Sequence, residues 1–308
     1  MQIVAVKYRH ATQADLPEVA EVFGIAIDDL DRRHGFFEEP TPAVPARPLY
    51  GFWLEKEPHA FWVAESGGRL VGFAFSFLRG SFWFLADLFI LPEQQGKGIG
   101  GALIQKTLGS WKGRRISNRA LITPAFNRSS VSLYMRHGML PRQPVYACSV
   151  QSDAFASKPG LRPEERLDVQ EAGGVEAASP MIDHVHRRAM GFPAGWHTEF
   201  FFKVQRSRCL IFRKKGRLAG YSFIRPDGRI GPLVVLSELS FVPALELTFR
   251  EALQGRRDKL GMLIPGTNAG AVEASIQHGF RIEYPLLFLS SRPMGDFGNY
   301  LFHSPGLM

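Results

Sequence analysis

A glycine-rich loop is the feature of this sequence best suited to holding a charged small molecule. The segment 95–101, Gln-Gly-Lys-Gly-Ile-Gly-Gly, follows an apolar run at 82–91 and precedes an apolar, helix-like stretch. Glycine lets the backbone turn tightly and approach a ligand closely. The first amide N–H groups of a helix have no internal partners, and together with the helix dipole they favour anions. The loop, with Lys97 on it, therefore predicts a ligand that carries phosphate.

The glycine spacing fits more than one kind of ligand. Gly96, Gly98 and Gly101 satisfy the dinucleotide pattern G-x-G-x-x-G, which also requires an acidic residue about 20 positions later. Residues 114–124 contain no Asp or Glu, and the loop follows about the fourth strand of its unit rather than the first. A glycine turn that binds nothing is a further alternative. The remaining spacing is Pro92-x-x-Gln95-x-x-Gly98-x-Gly100.

Two polar residues nearby are candidates for proton transfer. Tyr134 carries a phenol whose ordinary pKa is near 10, so at neutral pH it can donate a proton, although its ring could equally serve only to pack. Asp87 interrupts the apolar run 82–91, where a carboxylate is costly unless it is bonded or functional. Bonding to neighbouring backbone is the alternative for Asp87. Glu93 is the next candidate for a base, although a solvated loop position explains it as well.

The second glycine spacing resembles the pyrophosphate loop of the GNAT superfamily of acetyl-CoA-dependent N-acyltransferases. A second signature of that family follows at the expected distance, as Asn127, Ser130, Leu133-Tyr134 and Gly138-Met139, where only the methionine departs from the usual aromatic. The resemblance covers residues 3–150 well and 166–290 weakly. It implies that the cofactor is held by Phe89, Ile90, Leu91, Gln95, Gly96, Lys97, Gly98, Ile99, Gly100, Gly101, Asn127 and Ser130.

The resemblance also implies a reaction. Acetyl-CoA is the expected co-substrate, and the acetyl group passes directly to a primary amine of a small molecule or peptide. Backbone amides of residues 95–100 hold the pyrophosphate, and the strand before them pairs with pantetheine like an added strand. Asp87 accepts the proton of the amine and Tyr134 returns one to the departing thiolate. A non-catalytic acyl-CoA-binding module is the alternative function.

An internal repeat sets the expected architecture. Pro124, Asn127, Val131, His137 and Gly138 match, at one constant offset, Pro265, Asn268, Val272, His278 and Gly279. The sequence predicts two copies of one α/β unit, each with a mixed sheet flanked by helices. The expected domains are an N-acetyltransferase domain at 1–152, a linker at 153–165 and a degenerate GNAT-like domain at 166–308.

The second copy is expected not to bind acetyl-CoA productively. Residues 236–244 replace the glycine loop, and Ser275 aligns with Tyr134. In the first copy, the proline-rich segment 28–58 is predicted to be irregular. Its acidic residues suggest an acidic rim for a cationic amine, formed by Asp28, Asp29, Asp31, Glu38 and Glu39. Lys112, Arg114, Arg115 and Arg119 are candidates for the 3′-phosphate of CoA, with a solvated basic surface as the alternative.

Composition excludes several other classes of protein. The chain has 308 residues, 45% of them hydrophobic and 21% charged, which excludes disordered, collagen-like and coiled-coil chains. A net charge of +8 permits nucleic-acid binding, but no basic–aromatic interleaving supports it. The two cysteines are expected to be reduced, and the histidines lack metal-ligand spacing. We expect a cytoplasmic enzyme without metal or membrane span, a monomer whose halves form a pseudo-dimer or a weak homodimer.

Overall fold

The computed structural model describes residues 5–41, 48–155, 167–255 and 257–308. The chain packs into two compact units, of which unit 1 is Met1–Leu121 with Phe126–Met139 and unit 2 is Ile122–Ala125 with Leu140–Met308. This division differs from the predicted boundary after residue 152, because the strand at residues 140–151 packs with unit 2. Most of the expected linker, from residue 156 onward, lies outside the described residues.

Unit 1 is a mixed sheet with helices on both faces, as predicted. Its strands lie in the order β1-β2-β3-β4-β5, antiparallel except for the parallel pair β4–β5. The elements in chain order are β1 (Lys7–His10), α1 (Leu16–His34), α2 (Pro48–Lys56), β2 (Phe61–Ser66), β3 (Arg69–Arg79), β4 (Phe82–Ile90), α3 (Ile99–Gly109), β5 (Asn118–Pro124) and α4 (Arg128–Arg136).

The prediction of irregular backbone throughout residues 28–58 is wrong. Helix α1 continues to His34 because Leu30 extends the buried face that Val19 and Ala26 begin, and it ends at Gly35, whose φ is 77°. Helix α2 starts at Pro48. Proline suits the first turn of a helix, where its missing N–H is not needed. The proline at this position therefore begins a helix instead of interrupting one.

The two faces of the unit 1 sheet differ in character. On one face, the ring of Phe75 stacks on Trp53 of α2 with 4.3 Å between centroids, and Phe89 meets Phe23 of α1 at 4.7 Å. On the other face, Ser76 accepts a 3.2 Å hydrogen bond from the indole of Trp111, just after α3. Helices α1 and α2 therefore cover the Phe75 face, and α3 covers the Ser76 face.

Unit 2 is also a mixed sheet. Its strand order is β12-β6-β11-β10-β9-β8-β7, and β13 pairs with β10. Strand β6 runs antiparallel to both β11 and β12 and lies between them. The elements in chain order are β6 (Leu140–Gln151), β7 (Asp168–Glu171), α5 (Val175–Met190), α6 (His197–Glu199), β8 (Arg208–Lys214), β9 (Arg217–Ile224), β10 (Arg229–Val235), α7 (Phe241–Leu253), β11 (Lys259–Pro265), α8 (Ala269–Gln277), β12 (Arg281–Ser290) and β13 (Tyr300–Leu301).

The internal repeat is visible in the register of the two units. Gly72 pairs with Ile90 in unit 1, and Gly220 pairs with Val235 in unit 2. A Cβ atom on Gly72 would lie 2.9 Å from the carbonyl oxygen of Phe89, and one on Gly220 would approach that of Val234 as closely. Both positions therefore need glycine for the same reason. This common register allows the units to be compared residue by residue.

Candidate active site

Strand β4, which is predicted to bind the cofactor, separates from its neighbour β5 along part of one edge. Its parallel ladder with β5 joins only residues 82–84 to 118–120. On the other side, β3 pairs with β4 as far as Ile90, with a bulge at Ala86. A bulge bends a strand and increases its twist. Among the described residues, the edge of β4 from Leu85 to Ile90 therefore has no strand opposite β3, and we call it the open edge.

The glycine loop follows directly at the end of the open edge. The side-chain amide of Gln95 donates a 3.0 Å hydrogen bond to the carbonyl oxygen of Ile90, which ties the loop to the strand. Gly96 and Gly98 adopt φ values of 77° and 83°. L-amino acids with a Cβ rarely take such values. Both glycines face open space, since a Cβ atom on either would meet nothing within 4 Å.

Helix α3 begins at the loop with its first amides uncapped by any side chain. Gly98 is the N-cap, and the amide of Ala102 is bonded to its carbonyl oxygen at 3.1 Å. The preceding amides, of residues 99–101, are those that an α-helix leaves without internal partners. Lys97 is exposed and donates a 3.0 Å hydrogen bond to Gln94. The loop thus offers backbone donors, a helix N-terminus and one cation, which suits a phosphate group.

The next two glycines face neighbouring side chains. A Cβ atom on Gly100 would lie 3.1 Å from Leu133 of α4 and 3.9 Å from Leu88 of β4. One on Gly101 would lie 3.7 Å from the ring of His137. Gly100 therefore allows α3 and α4 to approach each other closely, whereas a Cβ atom on Gly101 would make an ordinary contact. Burial, more than the nearby Arg119 and Arg136, lowers the pKa of His137, so the ring is neutral at pH 7.

Asn127 begins helix α4. Its Oδ1 accepts a 3.1 Å hydrogen bond from the amide of Ser130, so it is the N-cap of this helix. The cap explains why Asn127 and Ser130 stand three residues apart. The nitrogen of the same side chain remains a donor group for a ligand beside the helix. The predicted acid, Tyr134, lies on α4 with only 5% of its surface exposed.

The predicted base lies on the open edge. Asp87 is half-buried and pairs in register with Phe75. Directly opposite residues of two strands project to the same face, so Asp87 belongs to the α1–α2 face. Its neighbour Leu88 pairs with Ala74 and projects to the face of α3 and α4. The candidate base and the helix that carries the candidate acid therefore lie on opposite faces of β4.

The predicted acidic rim is partly occupied by partners within the chain. Asp28 accepts hydrogen bonds from the backbone and hydroxyl of Thr41, at 3.0 and 2.6 Å. Asp29 pairs with Arg33 at 2.6 Å. Glu38 and Glu39 are the exposed acids of the set. Because Asp28 and Asp29 are engaged, the segment offers a cationic ligand less negative charge than its composition suggests.

An aromatic cluster next to the N-cap of α4 was missed from the sequence. The ring of Phe126 stacks on Phe36 with 4.6 Å between centroids, and the ring of His34 lies 4.8 Å away on the same residue. Phe126 directly precedes Asn127. The only signal in the sequence is that His34 and Phe36 lie close together at the end of α1. Their partner Phe126 is 90 residues from Phe36 in the chain.

The basic residues after α3 do not lie beside the loop. Lys112, Arg114 and Arg115 are exposed and follow the C-terminal end of the helix. Eleven helical residues span about 16 Å, which separates this cluster from the first turn. These three residues therefore lie away from the first turn of α3, and contact of the cluster or of Arg119 with the 3′-phosphate of CoA stays a prediction.

Cysteine nucleophiles and metal sites find no support in the described residues. Cys148 and Cys209 are buried free thiols, and burial raises the pKa of Cys148 to about 12. A thiol so rarely ionised is a poor nucleophile. No group of three or more His, Cys, Asp or Glu residues in the described part of the chain is arranged to hold a metal ion. None of the described helices is long and apolar enough to cross a membrane.

Comparison with known proteins shows which sequences this chain is similar to. A sequence profile of the acetyltransferase (GNAT) family matches residues 21–139. The L-2,4-diaminobutyric acid acetyltransferase of Nocardia farcinica (strain IFM 10152) is 29% identical over 151 residues, which cover 46% of this chain and 72% of that protein.

Solved structures share the fold over nearly the whole chain. A GCN5-related N-acetyltransferase from Sphaerobacter thermophilus aligns with a TM-score of 0.64 at 14% identity, covering 94% of this chain and 96% of that one. A tandem GNAT protein from the clavulanic acid biosynthesis pathway aligns with a TM-score of 0.57 at 16% identity, covering 94% and 99%. The segment 21–139 is therefore similar to GNAT acetyltransferases, and these relatives support an acyltransferase.

Proposed function

We propose that this protein is an acetyl-CoA-dependent N-acetyltransferase with one active site, in unit 1, and a small-molecule primary amine as acceptor. One observation carries the proposal. The open edge of β4 ends directly in the loop of Gly96 and Gly98, at the N-terminus of α3. An extended ligand with a phosphate group at one end fits this combination of a strand edge and a backbone cradle.

Different residues around the open edge hold different parts of acetyl-CoA. Amides of residues 95–101 hold the pyrophosphate, with Lys97 adding charge. The backbone of Phe89 and Ile90 pairs with the amide-bearing pantetheine arm, whereas the amide of Leu91 is bonded to Val71 of β3 at 3.0 Å. Asn127 donates to the arm from its side-chain nitrogen. When bound, acetyl-CoA supplies the acetyl thioester. The space beside Gly96 and Gly98 supports this arrangement, because a bound phosphate needs the room that side chains would fill.

Two residues on opposite faces of β4 handle the protons. A carboxylate oxygen of Asp87, on the α1–α2 face, accepts the proton that the attacking amine loses, directly or through water. The hydroxyl of Tyr134, on α4, donates a proton to the departing thiolate. Two residues are needed because the amine nitrogen loses a proton while the thiolate sulfur gains one, and these are different substituents of the same carbon.

The acceptor is proposed to be a compact molecule with at least one primary amine. The diaminobutyric acid acetyltransferase relative supports a small amino-acid-like diamine. The exposed Glu38 and Glu39 are the acids left to attract a cationic substrate from the 28–41 segment.

The direct experiment is a thiol-release assay with acetyl-CoA across a panel of amines. The panel includes 2,4-diaminobutyrate, lysine, polyamines, aminoglycosides and peptides with free N-termini. We expect release of CoA above the hydrolytic background with one or more small amines. Tight acetyl-CoA binding without release on any amine would instead support a non-catalytic acyl-CoA-binding module.

The role of Asp87 is tested by the isosteric change Asp87→Asn. We expect kcat to fall by roughly 10²- to 10⁴-fold, the usual range for loss of a general base, with an unchanged acetyl-CoA dissociation constant. Glu93→Gln is the matched control on the neighbouring exposed loop and should keep kcat. A large loss with Glu93→Gln and none with Asp87→Asn would assign the base to Glu93.

A further inference from the structure

In unit 2, as in unit 1, two parallel strands pair over a few residues and then separate. In unit 2 a later segment of the chain lies between them. Strands β10 and β11 pair in parallel only at Arg229–Gly261 and Ile230–Met262. Counted back from Val235, the partner of Gly220, Arg229 corresponds to Phe84 at the end of the β4–β5 ladder, and Ile230 corresponds to Leu85, one residue further. Beyond them, the chain from Tyr300 to Phe302 lies between β10 and β11.

The inserted segment is bonded on both sides. Tyr300 pairs with Val234 and Leu301 with Leu233, antiparallel to β10. On the other side, the amide of Phe302 donates a 3.2 Å hydrogen bond to the carbonyl oxygen of Leu263 in β11. All three inserted residues are completely buried. In unit 1, the positions that match Leu233 and Val234 are Leu88 and Phe89, on the open edge.

Asn268, the counterpart of Asn127, holds the segment directly. Its Oδ1 accepts from the amide of Ala271 at 2.9 Å and caps α8, as Asn127 caps α4. Its Nδ2 donates to the carbonyl oxygens of Gly298 and Tyr300, at 3.1 and 3.4 Å. One side chain therefore starts the helix and binds the inserted backbone.

The rest of unit 2 is also shaped around this segment. Gly231 leaves room for its backbone, since a Cβ atom there would overlap the carbonyl oxygen of Phe302. The ring of His303 stacks on Phe201 at 4.4 Å and its Nε2 is bonded to Gln205 at 2.8 Å. These contacts involve three separate parts of unit 2, so the segment has a complete binding groove.

We propose that residues 297–308 are an intramolecular peptide ligand of unit 2, and that the groove between β10 and β11 recognises an extended peptide where unit 1 takes its cofactor. The groove lacks what acetyl-CoA needs. Counted from Val235, helix α7 begins at Phe241, the position of Gly96, so no glycine loop lies between strand and helix, and Pro232 stands in the register position of Asp87. A separate peptide with the sequence of residues 297–308 should therefore bind this groove once the chain's own segment has been cut.

The experiment places a cleavage site for a sequence-specific protease after Pro293, which is exposed between β12 and the segment. After cleavage of the folded chain, we expect the fragment to co-elute with the protein in gel filtration. A fluorescent synthetic peptide of residues 297–308 should exchange into the cleaved protein and be displaced by the unlabelled peptide. Elution of the fragment as a free peptide, with no binding of the synthetic one, would overturn the proposal.

The substitution Asn268→Asp separates the two roles of this residue. Aspartate keeps an oxygen for the helix cap but replaces the donor with an oxygen that faces two carbonyls. Loss of two hydrogen bonds should weaken peptide binding by about ten- to a hundredfold, and speed amide exchange of residues 298–302 in the uncut chain. Unchanged peptide binding by this variant would contradict the groove described here.

The matched variant is Asn127→Asp in unit 1, which should leave peptide retention unchanged. The readout needs no acetyl-CoA, so it is independent of the proposed function. Absence of acetyl-CoA binding by the full chain would overturn that function alone, and loss of the fragment after cleavage would overturn the peptide groove alone.

Discussion

At the scale of single residues, the glycines of one loop perform two different physical tasks. Gly96 and Gly98 are needed for backbone conformation, because both have positive φ and open space around them. Gly100 is needed for close approach to Leu133, because a Cβ atom there would lie 3.1 Å from that side chain. A pattern of glycines in a sequence does not distinguish these tasks, whereas substitutions to alanine do.

The conformational task predicts the effect of Gly98→Ala. Alanine at a φ of 83° costs about 1–2 kcal/mol, so the loop will leave its cradle geometry and acetyl-CoA affinity should fall roughly tenfold. Gly109→Ala is the control, because Gly109 ends the same helix in open space. It should keep affinity and stabilise α3 by up to about 1 kcal/mol. Calorimetric titration and chemical unfolding measure both effects, and equal affinities for the two variants would contradict the cradle.

The proton donor is tested by Tyr134→Phe, which keeps the buried ring and removes only the hydroxyl. If Tyr134 protonates the thiolate, kcat should fall by roughly 10²- to 10⁴-fold while acetyl-CoA affinity is kept. Tyr8→Phe, in β1 and away from α4, is the matched control and should keep full turnover. Steady-state kinetics decide, and full turnover by the Tyr134 variant would leave the residue with a packing role.

At the scale of elements, a compact ion-pair network fixes the entry to α1. Asp15 accepts hydrogen bonds from the guanidinium of Arg9 at 2.7 and 2.8 Å and from the backbone and hydroxyl of Thr12, each at 2.7 Å. The bonds from Arg9, the largest cause, and from Thr12 lower the pKa of Asp15 from 3.8 to about 2, against a raising effect of burial. Asp15 thereby joins β1 to the first turn of the helix.

This network predicts a pH-dependent contribution to stability. The folded-state pKa is below the unfolded one, so the contribution is complete above about pH 5 and is lost as the pH falls through 3.8 towards 2. Asp15→Asn should lower the free energy of unfolding by roughly 2 kcal/mol at pH 7, and by little near pH 2. Urea unfolding of both proteins at several pH values measures this, and a difference independent of pH would argue against the ion pair.

Local chemistry is the part of this structure that a sequence reveals most readily, because the partners are close neighbours in the chain. The Thr12–Asp15 capping box, the Asn127 and Asn268 caps and the turn at Gly138 each depend on residues within a few positions of one another. Long-range partners were less accessible. A strand's own residues do not reveal that β6 pairs with β11 and β12, and four prolines obscured α2 because Pro48 starts a helix instead of ending one.

The candidate site was predicted to a similar degree. Glycine spacing and the resemblance to the GNAT family together pointed to the loop, Asn127 and Tyr134, which the structure has at the start of α3, at the N-cap of α4 and on α4. The hydrogen bond from Thr41 to Asp28 and the ion pair of Asp29 with Arg33 could not be predicted from composition, because charge counts do not indicate pairing. The aromatic stack of Phe36 on Phe126 was missed for the same reason, since it joins distant parts of the chain.

At the scale of the whole molecule, one fold occurs twice with different contents at the same register. In unit 1 the sheet edge that begins at Leu85 is open and ends in a glycine loop. In unit 2 the matching edge carries residues 300–302, and helix α7 begins at Phe241 with no glycine loop before it. The two copies therefore differ both in the space for a cofactor and in the backbone donors that would hold its phosphates.

This asymmetry predicts the binding stoichiometry of the full chain. We expect isothermal titration with acetyl-CoA to give one site per chain, because only unit 1 offers both the open edge and the cradle. The Asn127→Asp variant should weaken that site, since it exchanges a donor for an acceptor beside the pantetheine arm, and Asn268→Asp should leave it unchanged. Two equivalent sites, or a single site lost with Asn268→Asp and kept with Asn127→Asp, would place acyl-CoA in unit 2 and would be incompatible with a groove filled by residues 300–302.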